Sequence, residues 1–291
     1  MGHLEDRAGL NGRVAIIVGG GGGLGRACAL DLGRAGMRLG LCDRNADLLT
    51  ETTALLAAEG VEVVTATIDA RDDDALRVFF EAVDAAFGGR LHVLANVVGG
   101  TFNQPFEEST PKGWDAIIRT NFTWLLHAIQ LAIPRMRVAG GGSIINFTSI
   151  EAHRAAPSFA VYAGMKAAIT NTGRTLALEL APDGIRVNAI AADITPTEGI
   201  RSMLEGRSPE DERAADLASA IAIPMGRVGT YDDIGGCALF LASDLSRFVT
   251  GQTLHPDGGA LASSGWFNWP DAGWRNTPPT EAVLPFLDPP P

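Results

Sequence analysis

Val14-Ala-Ile-Ile-Val18 runs without a break into Gly19-Gly-Gly-Gly-Gly23, and then into Leu24-Gly25-Arg26-Ala-Cys-Ala-Leu30. An unbroken apolar, largely β-branched run predicts a strand buried on both faces. The segment after the glycines has the composition of a helix. A glycine turn between the two lets backbone come close to a ligand. The unpaired amides of the helix start, with the helix dipole, favour an anion such as a pyrophosphate. Two registers fit the glycines, Gly20-x-Gly22-x-x-Gly25 and Gly19-x-x-x-Gly23-x-Gly25, and both remain open at this point.

Outward from that turn, strands and helices alternate. Arg38-Leu-Gly-Leu-Cys-Asp43 predicts a second strand that ends in an acid. An acid there accepts hydrogen bonds from adenosine ribose hydroxyls and repels a 2′-phosphate, which points to NAD over NADP. Arg44 beside it is the one neighbour suited to a phosphate. Ala46 to Glu59 reads as helix, Val61 to Ile68 as strand, Asp74 to Phe87 as helix and Leu91 to Val98 as strand. Pro111 to Arg137 reads as mostly helical and Ser143 to Thr148 as a fifth strand. A helix with Ser158 as its N-cap follows, then a sixth strand over Ile185 to Ile190. This order predicts an α/β fold: a doubly wound, Rossmann-type parallel sheet in three layers, forming a single domain. Ligands in such sheets bind at the carboxyl ends of the strands, where Gly19, Asp43, Asp69, Asn96 and Ser149 fall.

The 291 residues carry a formal charge of −11 and 46% apolar residues. That charge argues against nucleic acid and anionic membranes as partners. No apolar run reaches the length of a membrane span, and the first ten residues lack a signal-peptide core. Cys28, Cys42 and Cys237 are odd in number and far apart, and the five histidines are scattered. Neither set forms a metal pattern or a disulfide framework, so a reducing cytoplasm and no structural metal are expected.

Tyr162 and Lys166, four apart, share one helix face, and Ser149 lies just past the end of the fifth strand. A phenol titrates near ~10 and is a poor base at neutral pH. An ammonium about 4 Å away would supply roughly the energy needed to lower it by three units. The trio is therefore suited to moving a proton to or from an oxygen that Ser149 holds.

Gly19-x-x-x-Gly23-x-Gly25, Asp69, Asn96-Val-Val-Gly99, Asn121, Ser149, Tyr162-x-x-x-Lys166 and Arg186-Val-Asn-Ala-Ile together resemble the short-chain dehydrogenase/reductase family. Ile223-Pro-Met-Gly-Arg-Val-Gly-Thr, Leu239-Phe-Leu-Ala-Ser and Thr250-Gly-Gln-Thr-Leu-His-Pro-Asp-Gly-Gly extend the likeness, which covers about residues 10 to 260. The resemblance implies hydride transfer between NAD and a secondary alcohol or ketone. Tyr162 would be the general acid/base, with Lys166 on the nicotinamide ribose, Ser149 on the substrate oxygen and Asn121 in a water-linked proton relay. The implied cofactor set is Gly19, Gly22, Gly23, Leu24, Gly25, Asp43, Arg44, Asp69, Ala70, Asn96, Val97, Gly99, Asp193, Thr195 and Thr197, together with Tyr162 and Lys166. Within it, Asp69 would hold the adenine amine and Thr197 would contact the nicotinamide end. The likeness also implies a homo-oligomer, a tetramer or else a dimer.

Three positions depart from the family pattern: Val18 for a threonine, Val97-Val98 for Asn-Ala, and Ala192-Asp193 for Pro-Gly. Asp193 would favour the oxidised, cationic dinucleotide. The expected organisation is an arm over 1–12, a catalytic domain over 13–262 with a substrate lid at about 197–223, and a Trp/Pro-rich tail over 263–291. Glu151, His153 and Arg154 would make the substrate pocket polar, while Phe102, Phe106 and Phe159 would give it an apolar wall. The tail would pack along the surface and reach a neighbouring subunit, its prolines excluding regular structure from much of it. Two other functions share parts of this pattern. A lyase or epimerase of the sister branch lacks its C-terminal substrate domain here. A non-catalytic dinucleotide binder would not need Ser149, Tyr162 and Lys166.

Overall fold

The computed structural model describes residues 2–195 and 208–284. Seven parallel strands form one sheet in the order β3-β2-β1-β4-β5-β6-β7. They are β1 (Val14–Val18), β2 (Arg38–Asp43), β3 (Val63–Thr67), β4 (Val93–Asn96), β5 (Gly142–Phe147), β6 (Ile185–Ile190) and the two-residue β7 (Thr253–Leu254). The seventh strand was not legible as one, because two residues carry no period. The chain order reverses between β1 and β4, whose pairing ends at Val18 opposite Asn96. That reversal opens a crevice directly over the glycine turn.

Every residue of β1 is buried because it faces a helix layer on each side. Val14, Ile16 and Val18 pack in one core with Phe79, Phe80, Trp124 and Ile169. Ala15 and Ile17 pack in the other with Leu32, Leu39, Ile234 and Leu241. The first layer holds α4 (Asp73–Phe87), α6 (Trp124–Ala139) and α7 (Ala160–Leu180); the second holds α2 (Gly23–Arg34), α3 (Ala46–Ala58) and α9 (Tyr231–Ala242). A short α1 (His3–Ala8) precedes β1, and α5 (Pro111–Ile118) leads into α6. The α8 helix (Pro209–Ala222) ends the expected lid, whose earlier part, including Thr197, lies outside the described residues.

Helix starts separate into two kinds. Asn45 caps α3, Asp72 caps α4, Thr110 caps α5 and Thr230 closes a capping box with Asp233 on α9. The start of α2 has no side-chain cap, since Gly22 stands there. Its amides are left for a ligand.

Three local expectations change. Ser158 does not cap α7: it takes a left-handed φ of 68° and its carbonyl accepts from Gln104 N, so Phe159 becomes the uncapped N-cap. The helix expected across Pro111 to Arg137 is interrupted by a π turn at Arg119–Thr123. The tail also holds regular structure, an antiparallel hairpin of β8 (Phe267–Trp269) and β9 (Gly273–Arg275). Its prolines do not prevent this, because Pro270 falls in the turn, where Asp271 takes positive φ, as does Gly273 at the start of β9. The hairpin packs on α8 of its own chain, with Phe267 and Trp269 on one face in edge-to-face contact at 6.4 Å.

Candidate active site

The glycine turn is held by its surroundings. Gly19 N and Gly20 N donate to the Cys42 carbonyl at the end of β2. The Gly21 carbonyl accepts from Thr52 Oγ1 and from Arg26 Nη2. A Cβ on Gly25 would lie 1.8 Å from the Gly19 carbonyl oxygen, and one on Gly19 would strike Val98 at 2.9 Å. These positions admit only glycine, so the turn keeps the close backbone that an anion needs.

Asp43 crosses over this turn. One carboxylate oxygen accepts from Gly21 N at 3.0 Å and the other from Asn45 N at 3.0 Å. Arg44 is exposed, and its charge acts on Asp69. Asp69, expected to hold the adenine amine, is also engaged by Arg71 through Nε, Nη2 and the backbone amide. The guanidinium two residues on in sequence holds its pKa down to about 2. The two residues line a cavity of about 530 Å³ with Asp72, Asp115 and Arg119. Ala70 is buried, Val97 N donates to the Val18 carbonyl, and Asn96 Nδ2 donates to Asn146 Oδ1 across to β5. Asn96 Oδ1 is buried without a partner.

The candidate proton-transfer group assembles at the end of β5 and the start of α7. Ser149, 8% exposed, lies close enough to the Tyr162 phenol to lower its pKa. Its oxygen also accepts from the Glu151 amide at 3.2 Å. That contact leaves the serine proton to point at the reacting oxygen or the phenol. Lys166 is buried, with its ammonium donating to the Phe147 carbonyl at 3.0 Å. Burial lowers its pKa from 10.5 to about 8. Asn121 is fully buried in the π turn, where it accepts from Gly100 N and donates to the carbonyls of Gly100 and Ile117. A Cβ on Gly99 would meet Asn121 Oδ1 and Lys166 Nζ, both at 2.9 Å, so Gly99 brings loop, amide and ammonium together.

The expected depression of the phenol is not seen in this geometry. Burial raises the Tyr162 pKa; Ser149 lowers it, and the Glu151 carboxylate raises it further. The Lys166 nitrogen sits 5.6 Å from the centre of the tyrosine ring and is turned to the Phe147 carbonyl. The i, i+4 spacing placed the two side chains on one face.

Around this group, Arg154 donates to Glu151 at 2.9 Å and lies 3.6 Å from Asp193. Its guanidinium offsets the charge by which Asp193 would favour an oxidised nicotinamide. Thr195 is buried and donates to the Asp193 carbonyl. His153 lies against His255, their rings 4.6 Å apart. Phe102, Phe106 and Phe159 do meet, lining a small cavity of about 20 Å³ with Trp114, and Phe159 touches Tyr162 edge to face. Phe147, Asn146, Arg71 and Trp114 escaped sequence reasoning. Arg71 alone carried a signal, a cation two residues from Asp69.

A three-layer sheet with an open glycine turn at its reversal point, and a serine–tyrosine–lysine group across from it, defines a dinucleotide-dependent proton-transfer enzyme. A family model described as enoyl-(acyl carrier protein) reductase matches residues 19–260. A 2,5-dichloro-2,5-cyclohexadiene-1,4-diol dehydrogenase of Sphingobium indicum is 33% identical, covering 86% of this chain and 96% of its own. A tropinone reductase homolog of Arabidopsis thaliana is 32% identical over 88% and 93%. Among solved structures, a gluconate 5-dehydrogenase of Burkholderia cenocepacia in complex with NADP and tartrate superposes with a TM-score of 0.80 at 31% identity, covering 89% of this chain and 99% of its own. A 7α-hydroxysteroid dehydrogenase with NADH and 7-oxo glycochenodeoxycholic acid gives 0.80 at 29% identity, over 89% and 98%. The chain belongs to the short-chain dehydrogenase/reductase family. It is an oxidoreductase that passes hydride between a nicotinamide dinucleotide and an alcohol or ketone carbon.

Proposed function

We propose that this enzyme uses NAD and acts on a secondary alcohol or its ketone, with Tyr162 as general acid/base. The convergence of Ser149 and the Tyr162 phenol, beside the buried Lys166, carries this reading. The glycine turn fits a pyrophosphate, and Asp43, fixed across that turn, favours unphosphorylated ribose. The buried Asn96 oxygen and the Lys166 ammonium, which has one carbonyl acceptor, offer polar groups for ribose hydroxyls. When bound, the dinucleotide supplies or accepts the hydride.

This chain's own residues handle the proton. Ser149, its oxygen already receiving the Glu151 amide, donates to the substrate oxygen and holds it against the phenol. A phenol whose pKa is raised by burial is protonated at neutral pH, the form needed to donate to a carbonyl. In the oxidative direction the same oxygen must take the alcohol proton, and a charged Lys166 then opposes the cost of a phenolate. Asn121, locked between loop and helix, fixes the backbone beside the ammonium.

In assembly and location, we read the chain as a homotetramer of the cytoplasm. Leu178 and Phe248, 78% and 102% exposed, are apolar surface that a second copy would cover. Its three cysteines are free thiols, as a reducing compartment would keep them.

A panel of secondary alcohols, assayed with NAD+ and with NADP+, tests the reading. Tyr162→Phe should cut turnover by roughly 10²- to 10⁴-fold while dinucleotide binding persists. Turnover that survives this change, or a preference for NADP+, would overturn it.

A further inference from the structure

The loops after β5 and β6 meet beside Ser149 and carry an ion network that proton transfer does not require. Glu151, whose amide touches the serine oxygen, bonds Arg154 at 2.9 and 3.3 Å. Arg154 reaches Asp193 at 3.6 Å, and the Asp193 side chain is 11% exposed. Asp257, on the loop after β7, adds a third carboxylate that acts on both Arg154 and Asp193. Its oxygens accept from Gly259 N and Leu261 N. Burial, His255 and Arg174 all favour the neutral form of His153. Three carboxylates thus share one guanidinium in the immediate network, which leaves a negative surplus next to the reacting oxygen. Phe159 brings an apolar surface to the same phenol, continuous with the cavity of Phe102, Phe106 and Trp114.

We propose that Glu151, with Arg154 and Asp193, sets the charge of the substrate: an alcohol or ketone with an apolar body and a neutral or cationic polar end, carboxylates being rejected. This rests on Ser149 and Tyr162 being the reaction centre. A negative wall in a partly water-excluded cleft repels an anion and attracts a cation. The Glu151 charge already acts on Tyr162, so it lies within range of the reacting oxygen.

The test uses cyclohexanols bearing an aminomethyl, hydroxymethyl or carboxylate group across the ring. Each is titrated into the enzyme–NADH complex by calorimetry and assayed for turnover with NAD+. The aminomethyl compound should bind and turn over at least about tenfold better than the carboxylate, with the difference carried in KM. Glu151→Gln should shrink that ratio and Arg154→Met should enlarge it. A purely structural role would lower all three substrates together in both variants. Equal or reversed preference, or no binding of any member, overturns the proposal. The expected binding order without turnover leaves the charge preference standing and sinks the assignment of Ser149 and Tyr162.

Discussion

Lys166→Met should make the protein dead and yet sturdier near neutral pH. The ammonium is buried and donates to the Phe147 carbonyl, and its pKa falls from 10.5 to about 8. A folded-state pKa below the unfolded one means that the unfolded chain binds the proton more tightly. The cost to the fold is therefore complete below pH 8 and fades as pH rises towards 10.5. At about pH 6.5 it amounts to roughly 3 kcal/mol, and at about pH 9.5 to roughly 1.5 kcal/mol. Methionine removes that cost but strands the Phe147 carbonyl, a loss of about 1 kcal/mol. The variant should therefore gain about 2 kcal/mol over wild type at the lower pH and about 0.5 kcal/mol at the higher. Urea unfolding of both proteins, without dinucleotide, at the two pH values measures the change. A difference independent of pH, or a variant less stable than wild type at the lower value, would refute the reasoning.

Other perturbations follow from the same contacts. Gly25→Ala sets a Cβ 1.8 Å from the Gly19 carbonyl, backbone against backbone, so no rotamer relieves it. Dinucleotide affinity, followed by fluorescence titration, should fall by roughly 100-fold, and the fold should lose about 3 kcal/mol or more. Asn121→Leu removes the bonds from the π turn to the Gly100 amide and carbonyl on the loop after β4 and should cost about 3 kcal/mol in thermal unfolding; a change within about 0.5 kcal/mol would show that water replaces the amide. Trp269→Ala should speed hydrogen exchange across Pro209–Ala222, which no residue of its own buries fully, and leave β1 and β5 protected.

The sheet was legible because β1, β2 and β6 are short, mostly apolar stretches whose limits coincide with punctuation: the glycines after Val18, Asp43 at the end of β2, and Gly184 before Ile185. The placement of the candidate site was legible wherever a side chain stands at a strand end or at a fixed helical spacing, as Ser149, Tyr162 and Lys166 do. What escaped was set by tertiary contacts. The carbonyl that captures Lys166 belongs to Phe147, nineteen residues away in sequence, and a carbonyl has no signature in composition. The ion pair of Asp69 with Arg71 was also illegible, because it forms without altering the strand pattern. Ser158 has the composition of a cap, yet the Gln104 amide claims its carbonyl and turns the backbone left-handed.

The widened turn at Arg119–Thr123 has a consequence for anyone altering this enzyme. It carries one residue more than an ordinary helical coil can absorb, and the surplus lets the Asn121 amide swing onto the Gly100 loop. Deleting Arg119, Thr120, Phe122 or Thr123 would mend the coil and withdraw the Asn121 amide from the Gly100 loop. Single-residue deletions in this region should therefore yield a chain that is more regular, well expressed and inactive.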